Sequence, residues 1–258
     1  MKAGSELATR AGVGLLLIAL AGGALIAGDV AFWVLLSVIG LLMMGEWADL
    51  VAAGPKWKRI AQYALSVPLA AMAPIAAGPG FFAFGLLLGA AFFIGAVSRR
   101  EKLALGILYV GLPVLSLMLL RTQADGLLLT FWAMALVWAC DSGAYFVGRA
   151  IGGPKLAPSI SPGKTWAGFW GGLLAAALFG VALHWLFRLG WTLAAATPLL
   201  AALSQLGDLY ESRMKRLAGV KDSGNLLPGH GGFMDRLDGL VPVAPAAALL
   251  VLLLRAVG

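Results

Sequence analysis

Residues 103–120 read LALGILYVGLPVLSLMLL, an apolar run without a single charged side chain. Basic residues stand on both sides of it, with Arg99, Arg100 and Lys102 before the run and Arg121 after it. About 20 mostly apolar residues are needed for a helix that crosses the ~30 Å hydrocarbon core of a bilayer. The stretch therefore predicts a transmembrane helix.

Eight further stretches have the same character. They are residues 11–28, 30–45, 60–77, 80–97, 126–146, 166–187, 191–207 and 239–257. Of the 258 residues, 61% are hydrophobic and only 12% are charged, about half the charge of a soluble domain. We therefore expect an all-α, polytopic membrane protein with about nine transmembrane helices, which form one domain over residues 1–258.

The basic residues predict the orientation of these helices. If the N-terminus is cytoplasmic, strict alternation of nine spans places 16 of the 19 basic residues on the cytoplasmic side, and only Arg121, Arg188 and Arg255 fall elsewhere. Such asymmetry is the positive-inside pattern, which supports both the count and a cytoplasmic N-terminus. The net charge of +7 is then topological and predicts no nucleic-acid partner. All acids but Asp29 and Asp125 gather on the same side, although acids contribute little to topology.

The longest non-apolar segment, residues 208–238, holds five acids and five bases. We expect the eighth helix to continue to about Leu217, with Gly219 as its stop. On that helix Asp208, Glu211, Ser212 and Lys215 share a face, with Arg216 beside it. Residues 221–232 are too rich in glycine for a helix and predict a loop. The last span is expected to open with Asp235, Arg236 and Asp238, carboxylates that suit a helix N-terminus.

Either ordinary solvated charges or a functional site could explain this segment. Three features favour a metal-dependent phosphate site. Asp208 emerges from an apolar helix, where ionisable groups are expensive and usually functional. The run Pro-Gly-His-Gly-Gly at 228–232 lets backbone approach a ligand closely. Interleaved acids and bases suit carboxylate-held Mg²⁺ that faces cationic phosphate clamps.

The segment also matches a family signature. It reads Ser212-x-Met-Lys215-Arg216-x4-Lys221-Asp222-x-Gly-x2-Leu-Pro228-x-His230-Gly231-Gly232-Phe-x-Asp235-Arg236-Leu-Asp238. This pattern of 27 residues resembles that of the phosphatidate cytidylyltransferases, also called CDP-diacylglycerol synthases. The resemblance extends to the size and nine-span plan of the bacterial members, and it makes residues 204–238 the catalytic signature.

Residues 141–168 resemble an accessory loop of the same family. Ser161, Lys164 and Thr165 match its pattern, whereas Gly163 and Ala167 stand where the family commonly has a lysine and a glutamate. The Gly-Lys-Thr at 163–165 is not a Walker motif, because Pro158 replaces the first glycine and no strand is predicted before it. Asp141 is either a helix end at the interface or, as the resemblance implies, a buried carboxylate that lines the active-site cavity.

The resemblance implies that the chain transfers CMP from CTP to phosphatidate and releases pyrophosphate for phospholipid biosynthesis. The expected Mg²⁺ ligands are Asp208, Asp235 and Asp238, and the carboxylates are consistent with a second cation. The expected catalytic residues are Lys215, Arg216, Lys221, Asp222 and Arg236. The expected substrate-binding residues are Asp141, Ser161, Lys164, Thr165, Ser212, His230, Gly231 and Gly232. Related enzymes suggest a homodimer in the bacterial inner membrane, with the active site facing the cytoplasm.

Three alternatives remain open at this stage. A CDP-alcohol phosphotransferase would show a pattern that begins Asp-Gly-x2-Ala-Arg, and no such run occurs in the sequence. A transporter would place its ionisable residues near mid-membrane in repeated halves. A kindred CTP-dependent enzyme that acts on another lipid phosphate fits the same residues.

Overall fold

The computed structural model describes residues 2–227, 229 and 231–257, with side chains from residue 12 to residue 256. The chain is almost entirely helical. The helices are α1 (Lys2–Ala27), α2 (Asp29–Leu50), α3 (Pro55–Ala71), α4 (Phe81–Ser98), α5 (Glu101–Arg121), α6 (Gly126–Ile151), α7 (Trp166–Phe187), α8 (Trp191–Leu217), α9 (Met234–Leu237) and α10 (Leu240–Val257).

Each of the nine apolar stretches corresponds to one of these helices, so the helical prediction is confirmed. In the described part of the chain, five helices are long and apolar enough to cross a membrane, namely α2, α4, α5, α6 and α7. Residues 12–27 and 240–256 form shorter apolar helical stretches. The membrane character is therefore supported, whereas the count of nine spans and the orientation stay predictions.

Several helices run past the apolar stretch that predicted them. The hydrogen bonds of a helix continue through polar residues until a residue stops them, so the end of an apolar run does not end a helix. Helix α6 continues past residue 146 to Gly152, which has a φ of 67°. Helix α8 reaches Leu217 as predicted, and Gly219 follows with a φ of 72°. Both glycines adopt the left-handed backbone region that commonly ends helices.

Two sequence-based expectations about secondary structure are wrong. Strands β1 (Lys155–Ala157) and β2 (Ser161–Thr165) form an antiparallel hairpin, so the fold is nearly all-α and a strand does precede the Gly-Lys-Thr run. The Walker interpretation remains excluded by Pro158. Asp235 and Arg236 lie in the separate short helix α9, while Asp238 lies in the turn before α10. They do not open one continuous last helix, because residues 238–239 form a turn.

The chain divides into two compact units, and the prediction of a single domain is not tested by this division. The first unit comprises Met1–Leu119 and Leu217–Leu237. Its core contains Trp47, whose indole N–H donates to the Lys102 carbonyl over 2.8 Å. A Cβ at Gly106 would overlap this indole, so the glycine permits the close approach.

The second unit comprises Leu120–Arg216 and Asp238–Gly258, with α6 and α7 packed along each other. Gly171-Gly172 allows close helix contact, because a Cβ at Gly172 would lie 2.9 Å from the Cys140 carbonyl oxygen. The small residues Ala21-Gly22-Gly23-Ala24 make no such close contact, since a Cβ at either glycine would meet nothing within 4 Å among the described residues. Close packing of α6 and α7 fixes the wall of the cavity described next.

Candidate functional site

A cavity of about 660 Å³ lies in the second unit. Its lining includes two carboxylates, Asp141 and Asp208. It also includes three cationic side chains, Arg149, Lys155 and Lys164. Helices α6, α7 and α8 and the hairpin all contribute to the wall. A cavity of this size with both signs of charge suits a polyanionic ligand better than an apolar one.

The prediction that Lys164 and Asp208 belong to one site is supported by their contact. Lys164 Nζ lies 2.6 Å from Asp208 Oδ2, and neither side chain is more than a third exposed. The other oxygen of Asp208 accepts a hydrogen bond of 3.2 Å from Ser212 Oγ, one turn later on α8. The hairpin and α8 therefore meet at Asp208.

A second cluster of charge lies further along α8. The buried carboxylate of Glu211 has Lys215 Nζ 3.5 Å away. Asp238 belongs to the same neighbourhood: burial first, and then the negative charge of Asp208, raise the pKa of Asp238 to about 6. Hydrogen bonds from Glu211 and Gly239 and the charge of Lys215 act in the opposite direction. Asp208 and Asp238 are thus close enough for the charge of one to disfavour ionisation of the other.

The hairpin orders the accessory loop. Thr165 caps α7, and its Oγ1 accepts a hydrogen bond of 3.1 Å from the Gly168 N–H. Arg216 Nε donates to the Ile160 carbonyl over 3.3 Å, next to the half-buried Ser161 at the start of β2. The predicted substrate-binding residues Ser161, Lys164 and Thr165 therefore lie on one strand beside α8.

Asp141 lies inside α6 and lines the cavity, so it is not a helix end. The expectation that it is buried is wrong, because its side chain is exposed. Tyr145 and Arg149 follow at four-residue intervals on the same helix, line the same cavity and share a hydrogen bond of 2.8 Å. Neither was selected from the sequence, although the four-residue spacing of Tyr145 and Arg149 after Asp141 indicates the same helix face. Lys155 was not selected either.

The signature loop, defined here as residues 221–235, belongs to the first unit. One oxygen of Asp235, Oδ2, accepts three hydrogen bonds: from Ser223 N at 2.8 Å, Ser223 Oγ at 2.9 Å and Gly232 N at 2.8 Å. A Cβ at Gly231 would lie 2.7 Å from this oxygen, and Gly231 has a φ of 79°. Glycine is therefore required there both by space and by backbone conformation.

A buried carboxylate that the sequence analysis did not select, Glu46 of α2, also binds the signature loop. It accepts hydrogen bonds from the backbone N–H groups of Phe233 and Met234 and from Ser223 Oγ. The predicted residues Lys221, Asp222 and Arg236 are exposed around this anchored core. His230 lies outside the described residues.

Comparison with known proteins decides the family. A sequence profile described as "Cytidylyltransferase family" matches residues 8–254. The chain belongs to this family. The phosphatidate cytidylyltransferase of Brucella suis biovar 1 is 42% identical over 239 residues, which cover 87% of this chain and 84% of that protein. The phosphatidate cytidylyltransferase of Staphylococcus epidermidis is 44% identical over 135 residues, 51% of this chain and 52% of that protein.

The predicted magnesium site can be tested against the residues of this cytidylyltransferase family member. In the part of the chain that the structure describes, no group of three or more His, Cys, Asp or Glu side chains is arranged to hold a metal ion. Burial first, and then the negative charge of Asp208, nevertheless disfavour the ionised form of Asp238 and raise its pKa. A divalent cation would relieve that repulsion, and carboxylate oxygens are the ligands that Mg²⁺ prefers. At these two residues the donor chemistry fits.

Asp235 fits a metal less simply. Its Oδ2 already accepts three hydrogen bonds from the loop, so a cation would have to bind the other oxygen. Asp235 belongs to the first unit, whereas Asp208 and Asp238 belong to the second. The three predicted ligands thus occupy two different kinds of surroundings.

Proposed function

We propose that this family member is a phosphatidate cytidylyltransferase, which transfers CMP from CTP to phosphatidate and gives CDP-diacylglycerol and pyrophosphate. The observation that carries the proposal is the cavity of the second unit, where Arg149, Lys155 and Lys164 face the carboxylates Asp141 and Asp208. Cations recognise phosphate groups by charge-assisted hydrogen bonds. The names and the extent of the similar proteins supply the identity of the two substrates.

The reaction needs positioning and charge stabilisation more than proton transfer. A phosphate oxygen of phosphatidate forms a bond to the α-phosphorus of CTP. The bond between that phosphorus and the α–β bridging oxygen breaks, and pyrophosphate leaves with the electron pair. The phosphate monoester of phosphatidate is largely dianionic near pH 7, so the nucleophile requires no side-chain base. The obstacle is the repulsion between two polyanions that must meet in line.

The cationic side chains of the cavity would offset that repulsion. Lys164 is held by Asp208, and Lys164 and Thr165 both line the cavity, where we propose that they donate to phosphate groups; Ser161, at the start of the same strand, is proposed as a further phosphate ligand. Arg149 can exchange its bond with Tyr145 for a bidentate contact with a phosphate. Lys215 and Arg216, at the end of α8, are proposed to stabilise charge on the departing pyrophosphate.

We propose that Mg²⁺ is the cofactor, held by Asp208 and Asp238 with Asp235 as a further ligand. A bound Mg²⁺ would neutralise charge on the triphosphate and on the leaving pyrophosphate. In this scheme Ser212 orients Asp208 through their 3.2 Å hydrogen bond. Lys221, Arg236 and His230 remain proposed phosphate-binding residues, and Asp222 remains a proposed catalytic residue.

The proposed setting is the cytoplasmic membrane of a bacterium, with nine spans, a cytoplasmic N-terminus and the active site on the cytoplasmic side. The distribution of basic residues supports this orientation, and the bacterial sources of the similar proteins support the location. A homodimer is proposed on the family resemblance. Labelling of single-cysteine variants from either side of sealed vesicles tests the topology, and cross-linking in lipid nanodiscs tests the dimer.

The activity is tested with purified protein in detergent, supplied with CTP, Mg²⁺ and phosphatidate. Release of pyrophosphate together with formation of CDP-diacylglycerol is the expected result. Parallel reactions with other lipid phosphates in place of phosphatidate address the kindred-enzyme alternative. Absence of pyrophosphate release with phosphatidate under varied metal and lipid conditions, alongside release with another lipid phosphate, would overturn the proposed substrate.

A further inference from the structure

Glu46 is a carboxylate in an apolar helix. It lies in α2, one of the candidate membrane spans, and its residue is only 4% exposed. An ionised carboxylate removed from water is strongly unfavourable unless charges or hydrogen bonds compensate it. A carboxylate in such a place therefore has a specific partner, and its partner indicates what it does.

In the part of the chain that the structure describes, the hydrogen bonds that Glu46 accepts all come from the signature loop. Oε1 accepts from the Phe233 N–H at 2.9 Å, and Oε2 accepts from the Met234 N–H at 2.8 Å. Oε2 also lies 3.1 Å from Ser223 Oγ, and that hydroxyl is in turn 2.9 Å from Asp235 Oδ2. The Ser223 hydroxyl therefore lies between two carboxylates, one from α2 and one from the loop itself, and it donates its single proton to one of them at a time. Hydrogen bonds to a charged acceptor are the stronger kind.

Two glycines of the loop are explained by the same carboxylate. A Cβ at Gly224 would lie 3.0 Å from Glu46 Oε1, and a Cβ at Gly232 would lie 2.6 Å from Glu46 Cδ. The φ of neither residue lies in the left-handed region, so the glycines are required by space rather than by conformation. The loop backbone passes so close to Glu46 that a side chain would collide with it.

We infer that Glu46 is a positioning residue for the reaction, which holds the signature loop in its active conformation through Phe233, Met234 and Ser223. It contacts no substrate in this role. It fixes the backbone immediately before Asp235, and it shares the Ser223 hydroxyl with the carboxylate of Asp235 itself. The expected effect of Glu46 on turnover rests on the proposed function, whereas its effect on the conformation of the loop does not.

The test compares Glu46→Gln with Asp49→Asn, a matched control three residues along the same helix. Asp49 is exposed and pairs with Lys58, and among the described residues it has no hydrogen bond or ion pair with the loop. Glutamine keeps one oxygen that can accept a hydrogen bond. Its NH₂ group replaces the second oxygen, and that group cannot accept a hydrogen bond from the loop donor that faces it. We expect Glu46→Gln to lower kcat about 10–100-fold, as loss of an orienting partner typically does. Asp49→Asn should leave kcat within about twofold of the wild type, the small change of a surface substitution.

Hydrogen exchange followed by mass spectrometry gives the readout that needs no activity. In Glu46→Gln the amides of Phe233 and Met234 should exchange at least about tenfold faster, because those amides lose their acceptor. Peptides from α4 and the thermal midpoint should change little. Normal exchange at 233–234 with wild-type kcat would overturn the inference. So would a loss of protection spread evenly over the first unit, since that indicates a general structural role.

A second variant keeps the inference testable if Glu46→Gln does not fold. Ser223→Ala removes only the hydroxyl that links Glu46 to Asp235, and it should raise exchange at Gly232 and lower kcat in the same direction. If neither variant alters exchange in the signature loop, the positioning role is wrong. If the wild type makes no CDP-diacylglycerol while both variants open the loop, the proposed function fails and the anchoring role stands.

Discussion

The two units of the molecule use carboxylates in opposite ways. In the first unit, Glu46 and Asp235 accept hydrogen bonds from backbone N–H groups and from one serine, and these bonds shape a loop. In the second unit, Asp208 faces the Lys164 ammonium, and burial together with the negative charge of Asp208 disfavours ionisation of Asp238. Amide partners fix a backbone, whereas mobile cationic partners can exchange for a substrate or a metal. The comparison therefore separates acids that organise the site from acids suited to act in it.

The largest expected effect is at Asp208, which the comparison assigns to the acids that act in the reaction. Asp208→Asn keeps the size of the side chain but removes the charge that holds Lys164 and would hold a cation. We expect kcat to fall by about 1000-fold, the scale of losing a group that stabilises the transition state. Pyrophosphate release measures this, and the thermal midpoint should stay near that of the wild type. Near-wild-type turnover would remove Asp208 from the ligand set.

Asp235 tests the other side of the comparison. Asp235→Ala removes the acceptor for Ser223 and Gly232, so it should open the loop and lower turnover about 100-fold. Asp235→Asn keeps one oxygen that can accept the same bonds. It should therefore keep loop protection in hydrogen exchange while it lowers turnover by about 10-fold or more, if the charge also serves a cation.

The pair of Asp235 variants gives a clear division. Full activity in Asp235→Asn would leave Asp235 as an anchor alone and remove it from the metal ligands. Loss of loop protection in Asp235→Asn equal to that in Asp235→Ala would instead show that charge, and not the acceptor oxygen, holds the loop.

A smaller effect is expected at Arg149, which the cavity assigns to phosphate binding. Arg149→Ala should raise the KM for CTP by about tenfold, because one charge-assisted hydrogen bond contributes about 1.5–3 kcal/mol. Arg213→Ala provides the control, as Arg213 is an exposed arginine of α8 outside the cavity lining. Equal KM values for the two variants would exclude Arg149 from CTP binding.

The helices were predictable because their signal is local. Each apolar stretch of about 20 residues indicates its own helix, and Gly219 marks the end of α8 without reference to any neighbour. The hairpin was not predictable, because three- and five-residue strands carry almost no periodic signal. The turn that separates α9 from α10 likewise lacks a proline or a strong breaker beyond Gly239.

The site was predictable only in part, for a different reason. Asp208, Lys215 and Asp235 were predictable because all three lie in one charged segment of the sequence, residues 208–238. Glu46 could not be found in this way, since it lies 177 residues before Ser223 and only the fold brings the two together. One clue was present: acids gathered on one side of the predicted topology without a topological reason, and Glu46 was one of them.

The smallest expected effect concerns Asp238 and pH. Its pKa is raised from 3.8 to about 6, so the folded protein binds this proton more tightly than the unfolded chain does. Protonation of Asp238 therefore adds to the free energy of unfolding. This contribution is fully present below about pH 4 and is lost as pH rises through about 6. At most, the loss is roughly 3 kcal/mol, from ~1.4 kcal/mol for each pKa unit. In metal-free buffer, Asp238→Asn should consequently gain thermal stability over the wild type at pH 7 and show little difference at pH 4.

Magnesium sharpens this last prediction. A cation that binds the folded protein at Asp208 and Asp238 stabilises it in proportion to its occupancy, and it would relieve the repulsion that burial imposes on Asp238. Addition of Mg²⁺ at pH 7 should therefore raise the thermal midpoint of the wild type more than that of Asp238→Asn. An identical rise in both proteins would place the cation elsewhere. Asp238 would then not be a metal ligand, and the proposal that acids of the second unit bind the cation would rest on Asp208 alone.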